Sequence, residues 1–146
     1  MAVLGVGLDL VDVPRMKKEM AREDGGFRES VFVADEIAYC EGQGRPAVHY
    51  AARFAAKEAF FKALGTGWRG AGPTWTEVEV TRNELGRPDL ALTGDAAAAA
   101  REMGVASIHL SLTHVASLAA AVVVLEGESG ATVPASVAPD SGGEEG

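Results

Sequence analysis

RFAAKEAFFKALGTG, residues 53–67, decides how the rest of the chain is read. Its alanines, phenylalanines and lysines run as a helix, and Gly65 is a natural C-terminal stop. Upstream, Pro46 suits a first helical turn, so the pattern predicts one long helix over about 47–64. At about 100° per residue, Glu58, Lys62 and Gly65 share one narrow sector, flanked by Phe54 and Phe61. Ala56, Ala59, Phe60, Ala63 and Leu64 fill the opposite sector, which should face the core. Lys57 falls at one edge of the polar sector, and Arg53 points well away from Glu58.

A Glu-to-Lys pair four residues apart has a plain reading, a solvated helix face worth about 0.2–0.5 kcal/mol. Two features point elsewhere. Aromatic flanks are odd on a fully wet surface, and Gly65-Thr66-Gly67 leaves backbone amides open to a phosphate. VLGVGLDLV, residues 3–11, then reads as a buried strand. Alternation puts Val3, Gly5, Gly7 and Asp9 on one face and Leu4, Val6, Leu8 and Leu10 on the other. The aliphatic face is expected to be core, the other nearly bare backbone ending in a carboxylate. Asp9 is then a turn cap, or pairs with Lys57 or Arg53. Alternatively it joins Glu58 as a second hard oxygen ligand for Mg²⁺, with phosphate oxygens and water completing the shell. Lys62 would neutralise the same phosphate. Those are the parts that Mg²⁺-assisted phosphoryl transfer needs.

Elsewhere the pattern gives an α+β chain in the order β-α-α-α-β-β-α-β-β, with antiparallel meander elements. Asp12 and Pro14 look like the start of a short helix, PRMKKEMARE, ended by Gly25-Gly26. DEIAYCE, from Asp35, predicts another. TWTEVEVTR alternates as a strand, with Val78 and Val80 facing one way and Glu77 and Glu79 the other. NELGRP turns into DLALT, and GDAAAAAREMG is a helix stopped by Gly104. ASIHLSLT and SLAAAVVVLE close the domain as two strands.

A chain of 146 residues is one domain by length. Residues 127–146, GESGATVPASVAPDSGGEEG, offer almost nothing to bury and read as a disordered tail beyond a domain at 1–126. That tail holds four acids and no base, which leaves −4 of the chain's −8 on the domain. Mild acidity argues against broad nucleic-acid binding, so charged partners must meet local patches. One cysteine, Cys40, excludes an internal disulfide and reads as a semi-buried small hydrophobe. No Cys/His cluster has zinc spacing. The start lacks a basic signal-peptide region, and SLAAAVVVL is under half the roughly 20 residues of a membrane span. A cytoplasmic protein with no membrane partner is expected.

GVGLDLVDVPRM, RFAAKEAFFKALGTG and HLSLTHVASLAAAVVVLE follow one another as in the holo-acyl-carrier-protein synthases, the short stand-alone 4′-phosphopantetheinyl transferases. The resemblance spans roughly residues 3–126. It implies the phosphopantetheinyl transferase fold, an antiparallel sheet packed against a long helix, and a homotrimer with pockets between protomers. It implies transfer of 4′-phosphopantetheine from coenzyme A to a serine of an apo acyl carrier protein, releasing 3′,5′-ADP. Asp9 and Glu58 match the family's Mg²⁺-binding carboxylates, and Lys62 matches the lysine that contacts phosphate. His114 matches a histidine on the nucleotide-phosphate side, and Gly86-Arg87-Pro88 resembles the turn beside the adenine. Arg53 is placed with these coenzyme-binding residues, as are Gly65, Thr66 and Gly67. Phe61 stands where relatives often carry a small polar residue, and SLTH replaces a more usual Ser-Ile-Ser-His.

Carrier proteins are acidic, so docking on an acidic chain needs a basic patch. Arg15, Lys18 and Arg22 recur at i, i+3 and i+7 on the first helix and form one stripe. A solvated face balanced by Glu19 and Glu23 is the plain alternative. The family uses an arginine matching Arg15 for docking, which favours the stripe. Ser111, Thr113 and His114 lie too close on a strand for a hydrolase triad. The nucleophile should therefore be the partner's serine, with Glu58, directly or through a metal-bound water, accepting its proton. Asp9 acting through water is a second candidate. His49 and His109 read as structural. A trimeric coenzyme-A-binding protein without transfer activity, and a plain interaction module, are the competing functions.

Overall fold

The computed structural model describes residues 1–22, 26–65 and 73–128. Thr66, Gly67, Gly25 and most of the expected tail, residues 129–146, lie outside the described residues. β1 (Ala2–Asp12) leads into α1 (Val13–Ala21), α2 (Phe27–Val31), α3 (Ala34–Glu41) and the 19-residue α4 (Pro46–Leu64). A 3-10 turn at Trp75–Glu77 precedes β2 (Val78–Arg82) and β3 (Pro88–Leu92). Then come α5 (Gly94–Met103), β4 (Val105–His114) and β5 (Leu118–Gly127). Both sheets are antiparallel, a three-stranded one ordered β1-β5-β4 and a β2-β3 hairpin.

Local chemistry explains most boundaries. Asp12 caps α1 by accepting the Arg15 backbone N–H at 2.8 Å, and Pro14 fits the first turn. α1 stops at Ala21, four residues before the glycine pair. α2 was not foreseen, because five residues hold too little periodicity to register. The strand foreseen from Thr74 begins only at Val78. Glu77 accepts Thr74 N–H and caps α5 through the amides of Asp95 and Ala96, which turns this segment into 3-10 helix. Gly65 and Gly104 close α4 and α5 with φ of 78° and 89°. Among the described residues no helix is long and apolar enough to cross a membrane.

One face of β1 is the reverse of what alternation suggested. Val6, Leu8 and Leu10 are 59%, 65% and 63% exposed, whereas Gly7 is buried. A Cβ on Gly7 would sit 1.7 Å from the Ala59 carbonyl oxygen, and one on Gly5 would sit 2.1 Å from that of Ala63. The bare strand face thus lets the backbone of α4 descend onto it, and the aliphatic face is left outward. A register shift between Val3 and Gly5 lets Leu4 join the core.

Two clusters make up the interior. Phe60, Phe61, Ala59, Ala63, Val78, Val123 and Leu125 form the one between α4 and the sheets. Val13, Met16, Phe32, Tyr50 and fully buried Cys40 form the other, among the helices. Burial of each large side chain is worth roughly 1.5–3 kcal/mol. Because α4 is covered on several sides, its edge residues are not solvated as expected. Lys57, foreseen beside the polar sector, is 0% exposed, and Arg53 is 3%. Phe61 turns inward too, edge-on to Trp75 and Phe60, and so does not flank Glu58.

Candidate active site

Asp9 lies on the glycine face of β1, pointing at α4, opposite the small Ala121 of β5. Glycine at positions 5 and 7 brings α4 close enough for its polar sector to meet this carboxylate. Lys62 Nζ donates to Asp9 Oδ1 at 2.9 Å and to the Leu8 carbonyl at 3.0 Å. Asp9 therefore pairs with Lys62, not with Lys57 or Arg53. Glu58, one turn earlier on α4, lines the same cleft of about 580 Å³. Arg15 and Glu19 of α1 border that cleft, and Phe27 and Phe54 add an apolar wall.

The electrostatics follow from this crowding. Burial pushes the Glu58 pKa up, the Asp9 charge pushes it further, and Lys62 opposes both. Two carboxylates against one partly exposed lysine leave a net negative charge, which a divalent cation would relieve. Among the described residues no group of three or more His, Cys, Asp or Glu side chains is placed to hold a metal. The donor set fits Mg²⁺ bound through two carboxylates with substrate oxygens and water supplying the rest.

Other foreseen residues lie apart from this cleft. Arg53 packs its guanidinium 4.0 Å over the Tyr39 ring, with Arg82 over the same ring at 4.7 Å. Its buried Nε has no hydrogen-bond partner. His49 is edge-on to Tyr39 and to His114, with ring centroids 5.8 and 6.0 Å away. Burial, then Arg53, His114 and Arg82, lower the His49 pKa. Tyr39, Arg53 and Arg82 line a pocket of their own with Asp35, Glu36 and Glu79, apart from the Asp9 cleft. Gly86 occupies the β2–β3 turn with φ of 77°, while Arg87 and Pro88 line a pocket with Ile108 and His109 of β4. The Gly65 N–H is not open to a phosphate as expected, because closing α4 aims it at the Lys62 carbonyl, 3.0 Å away.

Residues 5–123 match the family described as the 4′-phosphopantetheinyl transferase superfamily. The chain belongs to that superfamily. Holo-[acyl-carrier-protein] synthase of Syntrophus aciditrophicus is 47% identical over 125 residues, covering 86% of this chain and 97% of that protein. The crystal structure of the synthase from Neisseria meningitidis superposes with a TM-score of 0.78 at 28% identity, covering 86% of this chain and 99% of that one. The Bacillus anthracis synthase, solved in complex with CoA (3′,5′-ADP), gives 0.70 at 30% identity, covering 86% and 98%.

The three cations of the α1 stripe fall in different places, and the one singled out by the resemblance, Arg15, is the one at the site. Only Arg15 reaches the Asp9 cleft. Lys18 is exposed, and Arg22 Nη1 lies 3.5 Å from Glu19. Phe27 was missed because it sits on the unforeseen α2, and Tyr39 because a lone tyrosine on a short helix carries no signal. Glu36 was missed for want of any visible partner in sequence.

Proposed function

We propose that the chain transfers the 4′-phosphopantetheine group of coenzyme A to a serine of an apo acyl carrier protein. The observation that carries this reading is the meeting of Asp9, Glu58 and Lys62 in one cleft. The serine oxygen forms a bond to the phosphorus that carries pantetheine, the pyrophosphate P–O bond breaks, and 3′,5′-ADP leaves. Glu58 accepts the serine proton, a task its raised pKa suits. Lys62 stands beside Asp9, within reach of the phosphate that the acids address. Asp9 and Glu58 would hold Mg²⁺, whose chemistry is to neutralise the pyrophosphate oxygens as charge develops.

A homotrimer completes the account. Val6, Leu8 and Leu10 expose an apolar row on β1, and such patches mark contact sites. Arg53, His114 and the Gly86-Arg87-Pro88 turn do not line the Asp9 cleft of their own chain. A neighbouring protomer is what would bring its exposed His114 and its Gly86-Arg87-Pro88 turn to the nucleotide end of a coenzyme seated at Asp9. Leu8→Glu should therefore yield monomers by light scattering and lose coenzyme A binding together with the assembly. A wild-type chain that is already monomeric contradicts this.

Arg15 is the docking cation proposed for the acidic carrier. Arg15→Glu should raise KM for the carrier roughly tenfold or more through like-charge repulsion, with coenzyme A binding intact. Equal damage to both would refute the role. The overall reading is tested by incubating the chain with coenzyme A, Mg²⁺ and apo carrier, and following the carrier's mass. A phosphopantetheine-sized gain is expected; coenzyme A binding without gain would point to a binding protein instead.

A further inference from the structure

α4 carries a charge that the cleft does not use. Lys57 adjoins Glu58 in sequence, yet its side chain is fully buried and reaches toward α3 and β2 instead of Asp9. An ammonium has three N–H donors, and here each has an acceptor. Nζ donates to Glu36 Oε1 at 2.7 Å, to the Trp75 carbonyl at 3.0 Å and to the Val78 carbonyl at 2.6 Å. Glu36 Oε1 also accepts from the Val33 N–H at 3.0 Å, and Oε2 from the Val80 N–H at 3.1 Å. These bonds tie the first turn of α3, the middle of α4 and the start of β2 together.

A buried ion pair contributes little net stability, because desolvation offsets its Coulomb attraction; its attested use is to fix one arrangement among several. Here the arrangement is the rotation of α4. The seat on Gly5 and Gly7 is backbone against Ala59 and Ala63, which sets how closely α4 lies on β1, while Lys57 is the fully buried charge that ties the helix to α3 and β2. Consecutive helical residues lie about 100° apart, so holding Lys57 also sets Glu58. We propose that Lys57 and Glu36 are positioning residues, whose buried pair sets the rotation of α4 so that Glu58 faces Asp9 across the cleft. This rests on the acid pair being the reactive site, as proposed above.

Lys57→Met, Glu36→Gln and the double variant are compared with the wild-type chain by circular dichroism, by steady-state rates, and by electron spin resonance of Mn²⁺ bound in the presence of coenzyme A. The double variant removes both charges together and so avoids the unpaired buried carboxylate that threatens folding of Lys57→Met. In folded variants Mn²⁺ affinity should fall about tenfold or more, as for other outer-shell changes, and kcat should fall with it. KM for the carrier should stay within about twofold, since Arg15 is untouched. Folded variants with wild-type Mn²⁺ affinity and kcat overturn the inference. So does failure of all three to fold, which would make the pair a stability element alone. A wild-type chain that binds Mn²⁺ and coenzyme A but transfers nothing overturns the proposed function instead, while the variants' Mn²⁺ affinities still decide this inference.

Discussion

Glu58→Gln should lower kcat for transfer by about 10³-fold, in the range seen when a positioned proton acceptor is removed. Asp9→Asn should do comparable damage, because each amide keeps the shape of its side chain while deleting its negative charge from the shared cleft. If the two acids act as one unit, the double variant should be little worse than either single one. Losses that multiply would indicate independent roles. Initial rates with saturating coenzyme A and apo carrier decide between these outcomes. A companion effect appears in pH dependence. The free enzyme's Glu58 must be ionised to accept a proton, and burial together with Asp9 raises its pKa. Without metal, Glu58 should therefore take up its proton above the ordinary glutamate value of about 4.3, so Mn²⁺ binding should weaken as pH falls through that range.

Gly7→Ala should be the most damaging small substitution in the fold. Its Cβ would meet the Ala59 carbonyl oxygen at 1.7 Å and the Ala63 amide nitrogen at 2.9 Å. Both are helix backbone, so no rotamer change relieves the clash, and α4 must lift off β1. The expected loss is on the order of 4 kcal/mol or more, enough to lower Tm by about 10 °C. Gly44→Ala is the matched control, because nothing lies within 4 Å of its added Cβ, and it should stay within about 0.5 kcal/mol of wild type. Thermal unfolding of the two variants side by side checks the prediction. A stable Gly7→Ala chain would mean that α4 does not rest on the strand backbone.

The same glycines explain what could be read from sequence and what could not. Helix α4 and its stop were legible because Pro46, the alanine pattern and Gly65 agree at the local level. The placing of Asp9 on the glycine face was legible from alternation, and its approach to Lys62 bears that out. Which face of β1 is buried was not legible. Aliphatic side chains normally mark the core, and only the descent of a helix onto bare backbone reverses that here. Lys57 failed for a related reason. A lysine reads as solvated until its acceptors are known, and those acceptors come from Glu36 on α3 and from carbonyls near β2. Arg53 is similar, since its stacking partner Tyr39 lies on a different helix.

Crystals of the chain grown with coenzyme A and Mn²⁺, examined for the anomalous signal of manganese, address the central claim directly. The account predicts one metal peak in the cleft, with a carboxylate oxygen of Asp9 and one of Glu58 both within about 2.3 Å of it. A peak held by only one of the two acids, or found on another surface, would contradict it.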